Sequence, residues 1–351
     1  MKMKALTVTG PWKIDYGPVE MRPLEDDEVL IKVMYTGVCA TDIAIFTGDC
    51  SFVRSGEITY PCRIGHEFAG IVAKTGPKVT KFKVGDRVIT DNGVKCGKCD
   101  ACLRGDYANC TNDRSVGTIN CWPGAFAEYM YMPERHTYHL SDNIDFKQAA
   151  LIEPISMAVG AMRSYEVTSD SVVAVIGTGP IGIGTAALAK KRGAKKVIIV
   201  GRTPWKLDVA KQCGADFAVC TKDGDPVEQV RALTGGLGVD YTVETSGGLD
   251  TPMQAIQMTK KKGTVALVAF YEHPIPNFDI DAWTARSTRV IGVMGEPGNM
   301  QMSEHEFATG LNLEPIITQI VDFDDAPDFF QHSQETKKQR IKALVRIGAD
   351  K

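Results

Sequence analysis

Cys39, His66, Glu67 and Glu153 supply one thiol, one imidazole and two carboxylates, the donor types a divalent zinc ion takes. A catalytic zinc site needs about three protein ligands and an open position for water or substrate. Cys39 follows the apolar alternation Val29-Leu30-Ile31-Lys32-Val33, so it lies where a strand runs out. His66 and Glu67, within Gly65-His66-Glu67-Phe68-Ala69-Gly70, open a second apolar run that reaches Val72. Two strand ends can bring their first exposed side chains to one point on a rigid base. Singly, a loop histidine and a buried thiol are ordinary; the rest of the chain makes them a set.

Cys96, Cys99, Cys102 and Cys110 have the spacing C-x2-C-x2-C-x7-C. Four thiolates at these intervals can close a tetrahedron around zinc through short turns, leaving no open position, so the expected role is structural. An iron–sulfur cluster is the competing reading of such spacing. Lys95, Lys98 and Arg104 are close enough in sequence to offset the net charge of about -2 on a four-thiolate zinc. Cys50, Cys62, Cys121, Cys213 and Cys220 read as packing or loop residues with no assigned role.

A third motif belongs to cofactor chemistry. The apolar run Ser171 to Ile176 ends in Gly177-Thr178-Gly179-Pro180-Ile181-Gly182, and Ile183 to Arg192 then reads as an alanine-rich helix. In a strand–turn–helix, Gly177 makes the turn, Gly179 admits a pyrophosphate and Gly182 lets helix and strand close up, while the helix N-terminus offers N–H groups to the phosphates. An NAD site ordinarily carries an acid at the end of the next strand. Here Gly201-Arg202-Thr203-Pro204-Trp205-Lys206 stands there instead. Gly201 leaves room, and Arg202, Thr203 and Lys206 can hold a 2′-phosphate, so NADP is favoured over NAD. The same residues also suit a tight turn in which Thr203 caps a helix with Pro204 at its first position.

These motifs sit in a chain of 351 residues with 44% hydrophobic and 24% charged residues, long enough for two globular domains at roughly 150 residues each. A net charge of -3 gives no electrostatic footprint for nucleic acid or anionic membrane. The opening residues run straight into alternation, so neither an export signal nor a membrane span is expected. Cysteines crowded at metal spacing then point to a reduced, cytoplasmic protein. Up to about residue 150 short β-type runs dominate, at Val29 to Val33, Gly70 to Lys74, Asp86 to Thr90 and Ala125 to Met132, punctuated by Gly and Pro. Strand–helix alternation follows, with further strands at Lys196 to Val200, Val239 to Val243, Thr264 to Ala269 and Arg289 to Met294. The expectation is α/β: a β-rich domain from 1–153 and 297–351, and a doubly wound, Rossmann-type parallel sheet from 154–296. Helices are expected at Ser303 to Gly310 and Ala326 to Lys338.

Taken together, Cys39 with GHEFAG, the four-cysteine lobe and GTGPIG resemble the zinc-dependent medium-chain alcohol/polyol dehydrogenases, in the family's order over essentially the whole chain. The resemblance implies a GroES-like catalytic domain, an active site in the cleft between the domains, and two zinc ions per chain. Cys39, His66 and Glu67 correspond to catalytic-zinc positions, and Cys96, Cys99, Cys102 and Cys110 to the structural zinc. Glu153, before Pro154, resembles the carboxylate that the polyol branch uses directly or through water, and Thr41 resembles a hydroxyl relay. The implied reaction is hydride transfer between a secondary hydroxyl of a polyol, cyclitol or sugar and a nicotinamide. The loop Thr47 to Ser55 offers polar groups for such a substrate. Sorbitol-type relatives carry an Arg-Tyr pair where this chain has Gly295-Glu296, which puts sorbitol itself in question. Simple secondary alcohols are the alternative substrates; a zinc-lobe interaction protein and a zinc-free quinone reductase are the alternatives of another class. A homodimer or homotetramer paired through the last strand is implied.

Overall fold

The computed structural model describes residues 1–276, 278–296 and 298–348. The chain forms two compact units, one from Met1–Glu153 with the C-terminal stretch that starts at Ile317, the other from Pro154–Ile316.

The first unit is organised on the strand Glu28–Gly37. Val29, Ile31, Val33 and Tyr35 are buried on one side of its alternation while Lys32 is exposed, the period expected of a sheet with one face packed. Glu67–Thr75 pairs with it antiparallel, placing Gly37 opposite Glu67 and Val33 opposite Gly70. Both glycines are required by close approach: a Cβ at Gly70 would collide with the Lys32 carbonyl oxygen, and one at Gly37 with the Glu67 carboxylate. Along its other edge the same strand binds Tyr129–Pro133 and, further on, Lys342–Arg346. Arg87–Thr90, Thr137–His139 and Ile317–Asp322 complete the seven-stranded sheet. One apolar core gathers Phe46, Phe126 and Phe330, and a second gathers Val29, Ile31, Met130 and Met132.

The second unit is a six-stranded, all-parallel sheet in the order Phe217–Cys220, Lys196–Gly201, Val172–Ile176, Val239–Glu244, Thr259–Leu267, Arg289–Gly292. The order reverses beside Val172–Ile176, the kind of switch point at which doubly wound sheets bind ligands. Val173, Val175, Val197, Ile199 and Val243 are fully buried, which is why these strands read as continuous apolar runs. Among the described residues Arg289–Gly292 pairs only with Thr259–Leu267 and is an edge.

Three details differ from the sequence expectation. Phe217–Cys220 is an additional strand, too short and too exposed at Phe217 and Ala218 to show a buried pattern. The expected helix from Ala326 to Lys338 stops at Gln331, because the buried Arg340 guanidinium takes the Ser333 carbonyl at 2.7 Å and the Thr336 hydroxyl at 2.5 Å and holds a turn there. The chain returns to the first unit at Ile317, whereas a return near residue 297 was expected; Pro297 itself lies outside the described residues. The intervening helix Asn299–Ala308 is tied within the second unit, with Lys191 and Arg192 on Glu306 and Arg163 on Asn299.

Candidate metal centre and cofactor site

Cys39 lies two residues beyond the end of Glu28–Gly37 and caps the helix Ala40–Thr47, while His66 immediately precedes the partner strand. A single buried carboxylate joins the two segments. Asp42 accepts the Cys39 N–H at 2.9 Å and the Gly65 N–H at 3.0 Å, and its Oδ1 stands 3.6 Å from His66 Nδ1. Burial raises the Asp42 pKa, opposed by His66 and the two N–H donors. Gly65 has φ +96, a conformation that side chains rarely adopt, and a Cβ there would meet Phe126 at 2.8 Å.

Antiparallel pairing then sets one donor atom each from Cys39, His66 and Glu67 within 4.8 Å of one another. His66 Nδ1 faces Asp42, which leaves the other side of the ring toward Cys39. A thiol, an imidazole and a carboxylate brought this close are the donor set zinc takes, so these residues fit the ion. Glu67 is occupied as well: Lys342 Nζ reaches its two oxygens at 2.8 and 2.6 Å, and the Val38 carbonyl at 3.0 Å. Burial alone would lower the Lys342 pKa, but Glu67 and Cys39 more than reverse this.

Glu153 is not part of that three-residue group. It sits in the first turn of the helix Ile152–Arg163, and its Oε1 accepts from Asn92 Nδ2 at 3.2 Å. Burial, opposed by His66, pushes its carboxyl up to about 7. Thr41 lies in the first turn of Ala40–Thr47, partly exposed. Asp42, Lys342 and Asn92 were missed in the sequence. Asp42 could have been found, since an acid three residues after a helix start is a capping pattern; Lys342 and Asn92 leave no such trace.

The four lobe cysteines also come together, with donor sulfurs within 4.8 Å of one another. Cys99 caps the helix Asp100–Leu103, and the Cys102 and Thr111 N–H groups pull its thiol down to about 6. That sulfur set fits a closed four-thiolate site. Lys95, expected to offset the lobe's charge, pairs with Asp113 at 2.5 Å.

In the second unit, Gly177 takes φ +115 in the turn after Val172–Ile176. A Cβ on Gly182 would strike the Gly177 carbonyl, whereas one on Gly179 would meet nothing within 4 Å. Gly182 therefore serves close packing and Gly179 leaves open space at the N-cap of the helix Pro180–Lys191, as a pyrophosphate requires. At the end of the next strand, a Cβ on Gly201 would crowd Thr178 and Leu207, so this glycine also has a packing reason. Thr203 occupies the N-cap of the helix Pro204–Gln212 without a side-chain cap bond, so its hydroxyl is not spent on capping. Arg202 is exposed, and Lys206 lies 5.4 Å from the Trp205 ring centroid. Glu296, where an arginine or tyrosine was the comparison, pairs with Arg163 at 3.4 Å.

A β-rich unit with converging thiol, imidazole and carboxylate donors, and a doubly wound unit with a dinucleotide fingerprint, define a nicotinamide-dependent metal dehydrogenase. Residues 25–142 match the family described as alcohol dehydrogenase GroES-like domain, and residues 180–311 match zinc-binding dehydrogenase. A sorbitol dehydrogenase of Halalkalibacterium halodurans is 35% identical over 76% of both chains. An L-threonine 3-dehydrogenase of Bacillus velezensis is 31% identical over 89% of this chain and 90% of its own. A crystal structure from Sinorhizobium meliloti 1021, provisionally described as a zinc-binding dehydrogenase and bound to NADP, superposes with a TM-score of 0.89 at 28% identity over 99% of each chain. The chain belongs to the zinc-dependent medium-chain alcohol/polyol dehydrogenases. Among the described residues no helix is long and apolar enough to cross a membrane.

Proposed function

We propose that this dehydrogenase transfers hydride between a secondary hydroxyl of a polyhydroxylated small molecule and NADP, at a zinc held by Cys39, His66 and Glu67. The observation that carries the reading is the approach of those three donor atoms to within 4.8 Å. When bound there, zinc supplies a Lewis acid that polarises a substrate hydroxyl or carbonyl oxygen, and the nicotinamide accepts or returns the hydride.

The chain's own residues do the rest. Asp42 keeps the Cys39 and His66 segments in register through the two N–H groups it accepts. Lys342 balances the Glu67 charge in a buried setting. Oxidation releases a proton from the substrate hydroxyl; Glu153, buried and hydrogen-bonded to Asn92, is the carboxylate that would take it, and Thr41 is the hydroxyl placed to relay it outward. The lobe of Cys96, Cys99, Cys102 and Cys110 holds a second, structural zinc. Gly177, Gly179, Pro180, Ile181 and Gly182 receive the pyrophosphate, and Arg202, Thr203 and Lys206 the 2′-phosphate. The sorbitol dehydrogenase relative supports a polyol, and the NADP-bound neighbour supports the cofactor. A homo-oligomer joined along the exposed edge Arg289–Gly292 completes the reading.

The threonine dehydrogenase relative favours a second reading, a secondary alcohol that is not a polyol. Metal analysis and steady-state oxidation of polyols, cyclitols, sugars, L-threonine and simple secondary alcohols, with NAD and NADP in parallel, separate the two. Two zincs per chain and turnover of a polyhydroxy compound with NADP are expected. Turnover confined to threonine or simple alcohols would establish the second reading, and strict NAD use would remove the 2′-phosphate role from Arg202.

A further inference from the structure

Two of the cysteines left without a role meet in the first unit. Cys62 Sγ and Cys121 Sγ are 3.3 Å apart, although the residues are 59 positions apart in the chain. Neither belongs to the thiol groups arranged for a metal. Both are fixed by backbone: Cys62 exchanges N–H···O bonds of 2.9 Å with Val8 in both directions, and the Cys121 carbonyl accepts from Arg114 Nη2 at 2.6 Å. Bonded sulfurs lie at about 2.05 Å, so closing the remaining gap takes side-chain adjustment of little more than about an ångström.

The two thiols are not equivalent. Cys62 has no exposed surface, whereas Cys121 is partly exposed. The Cys62 S–H donates to the Cys121 sulfur and contacts the Gly117 carbonyl at 3.7 Å. That donation, with Arg63 and Arg114 nearby and against the pull of burial, holds the Cys121 thiol below its usual range; the same contact and burial push Cys62 far above it. A thiol that favours thiolate on a partly exposed residue, beside a shielded thiol, is the arrangement in which a first oxidation is resolved internally.

We propose that Cys121 and Cys62 form a peroxide-reactive dithiol site, with Cys121 the sulfur oxidised first and Cys62 the resolving thiol, carried by their 3.3 Å approach and unequal exposure. The oxidant is a hydroperoxide, hydrogen peroxide in the simplest case. The Cys121 thiolate attacks one peroxide oxygen, the O–O bond breaks, and the departing hydroxide takes a proton to become water. The Cys62 sulfur, on losing its proton, attacks the Cys121 sulfenic sulfur; an S–S bond forms, the S–O bond breaks, and a second water leaves. Two thiols have lost two electrons and the peroxide has gained them. A dithiol reductant reverses the change. The link joins the segment ahead of Gly65 and His66 to the loop before Trp122, and it is independent of which substrate the enzyme oxidises.

The test is peptide mapping of the metal-loaded full chain after a few equivalents of hydrogen peroxide and alkylation, digested without reductant. A peptide pair joined through Cys62 and Cys121, short of two hydrogens, is expected, with alkylation of Cys121 falling about tenfold and returning after dithiothreitol. In Cys62→Ser the reaction stops one step earlier, and dimedone labels Cys121. In Cys121→Ser, Cys62 takes no dimedone and forms no link. Recovery of both cysteines fully alkylated from peroxide-treated wild type, or a Cys62→Ser protein whose Cys121 takes no dimedone, overturns the proposal. The wild-type map stands even where a variant fails to fold.

Discussion

Lys342 Nζ stands 2.8 and 2.6 Å from the two carboxylate oxygens of Glu67, with side chains only 3% and 1% exposed. The pair forms because Glu67 begins a strand next to Glu28–Gly37 on one edge while Lys342 begins a strand on the other. Gly37, between them, has no side chain to obstruct the carboxylate. Removing one partner of a buried pair leaves an uncompensated charge and costs about 3–5 kcal/mol. In the metal-free protein, Lys342→Met should therefore lower stability by about that much, read as a shift in denaturant midpoint. Lys342→Met with Glu67→Gln should recover most of it. If the double variant is no more stable than the single one, Lys342 acts through packing and not through Glu67.

Asp42 is the residue on which the two candidate ligand segments depend. It accepts from Cys39 at 2.9 Å and from Gly65 at 3.0 Å, so Asp42→Ala frees both N–H groups and the start of the helix Ala40–Thr47. Partners of this kind typically change metal affinity by about 10–100-fold, and each lost hydrogen bond costs about 1 kcal/mol. Competition with a chromophoric chelator should show weakened zinc at one site per chain, with the lobe zinc unaffected. Equal weakening at both sites would mean general unfolding.

Much of this was legible in the sequence because the signals were local. Strand–glycine–helix in Val172 to Lys191 and the four-cysteine spacing are each contained in about twenty residues, and the parallel sheet follows from continuous apolar runs. Cys39 and His66 could be placed at strand ends from alternation alone. Lys342 was not legible: it is a charged residue at the head of an apolar strand, and its partner is 275 positions away. Asn92 and the Cys62–Cys121 approach are likewise long-range contacts, across 61 and 59 positions of the chain. The short strand Phe217–Cys220 was lost for another reason, as only Val219 is buried.

Arg202 is exposed after the strand Lys196–Gly201, and the neighbouring Thr203 hydroxyl is not used as a cap. A guanidinium–phosphate contact contributes about 1.5–3 kcal/mol, so Arg202→Ala should raise the KM for NADP about 10–100-fold and leave that for NAD within a factor of about two. Parallel losses with both cofactors would assign Arg202 to the turn instead of the 2′-phosphate.

Glu306 gives the second unit a defined acid sensitivity. Burial alone would raise its pKa, but Lys191 at 2.6 Å and Arg192 at 3.4 Å bring it below the ordinary carboxylate range. A carboxylate whose folded pKa is depressed stabilises the fold fully above its unfolded pKa of about 4.3, and that contribution disappears as pH falls through the lower, folded value. Because the pair keeps some exposure, its worth is on the order of 1 kcal/mol. Glu306→Gln should therefore unfold at lower denaturant than wild type at pH 7, and the two curves should converge as the pH drops below about 4. The helix Asn299–Ala308 carries Glu306, so amide exchange in that helix should quicken in the variant at neutral pH. A gap between the two proteins that stayed constant down to strong acid would show that Glu306 stabilises the helix by shape and not by charge.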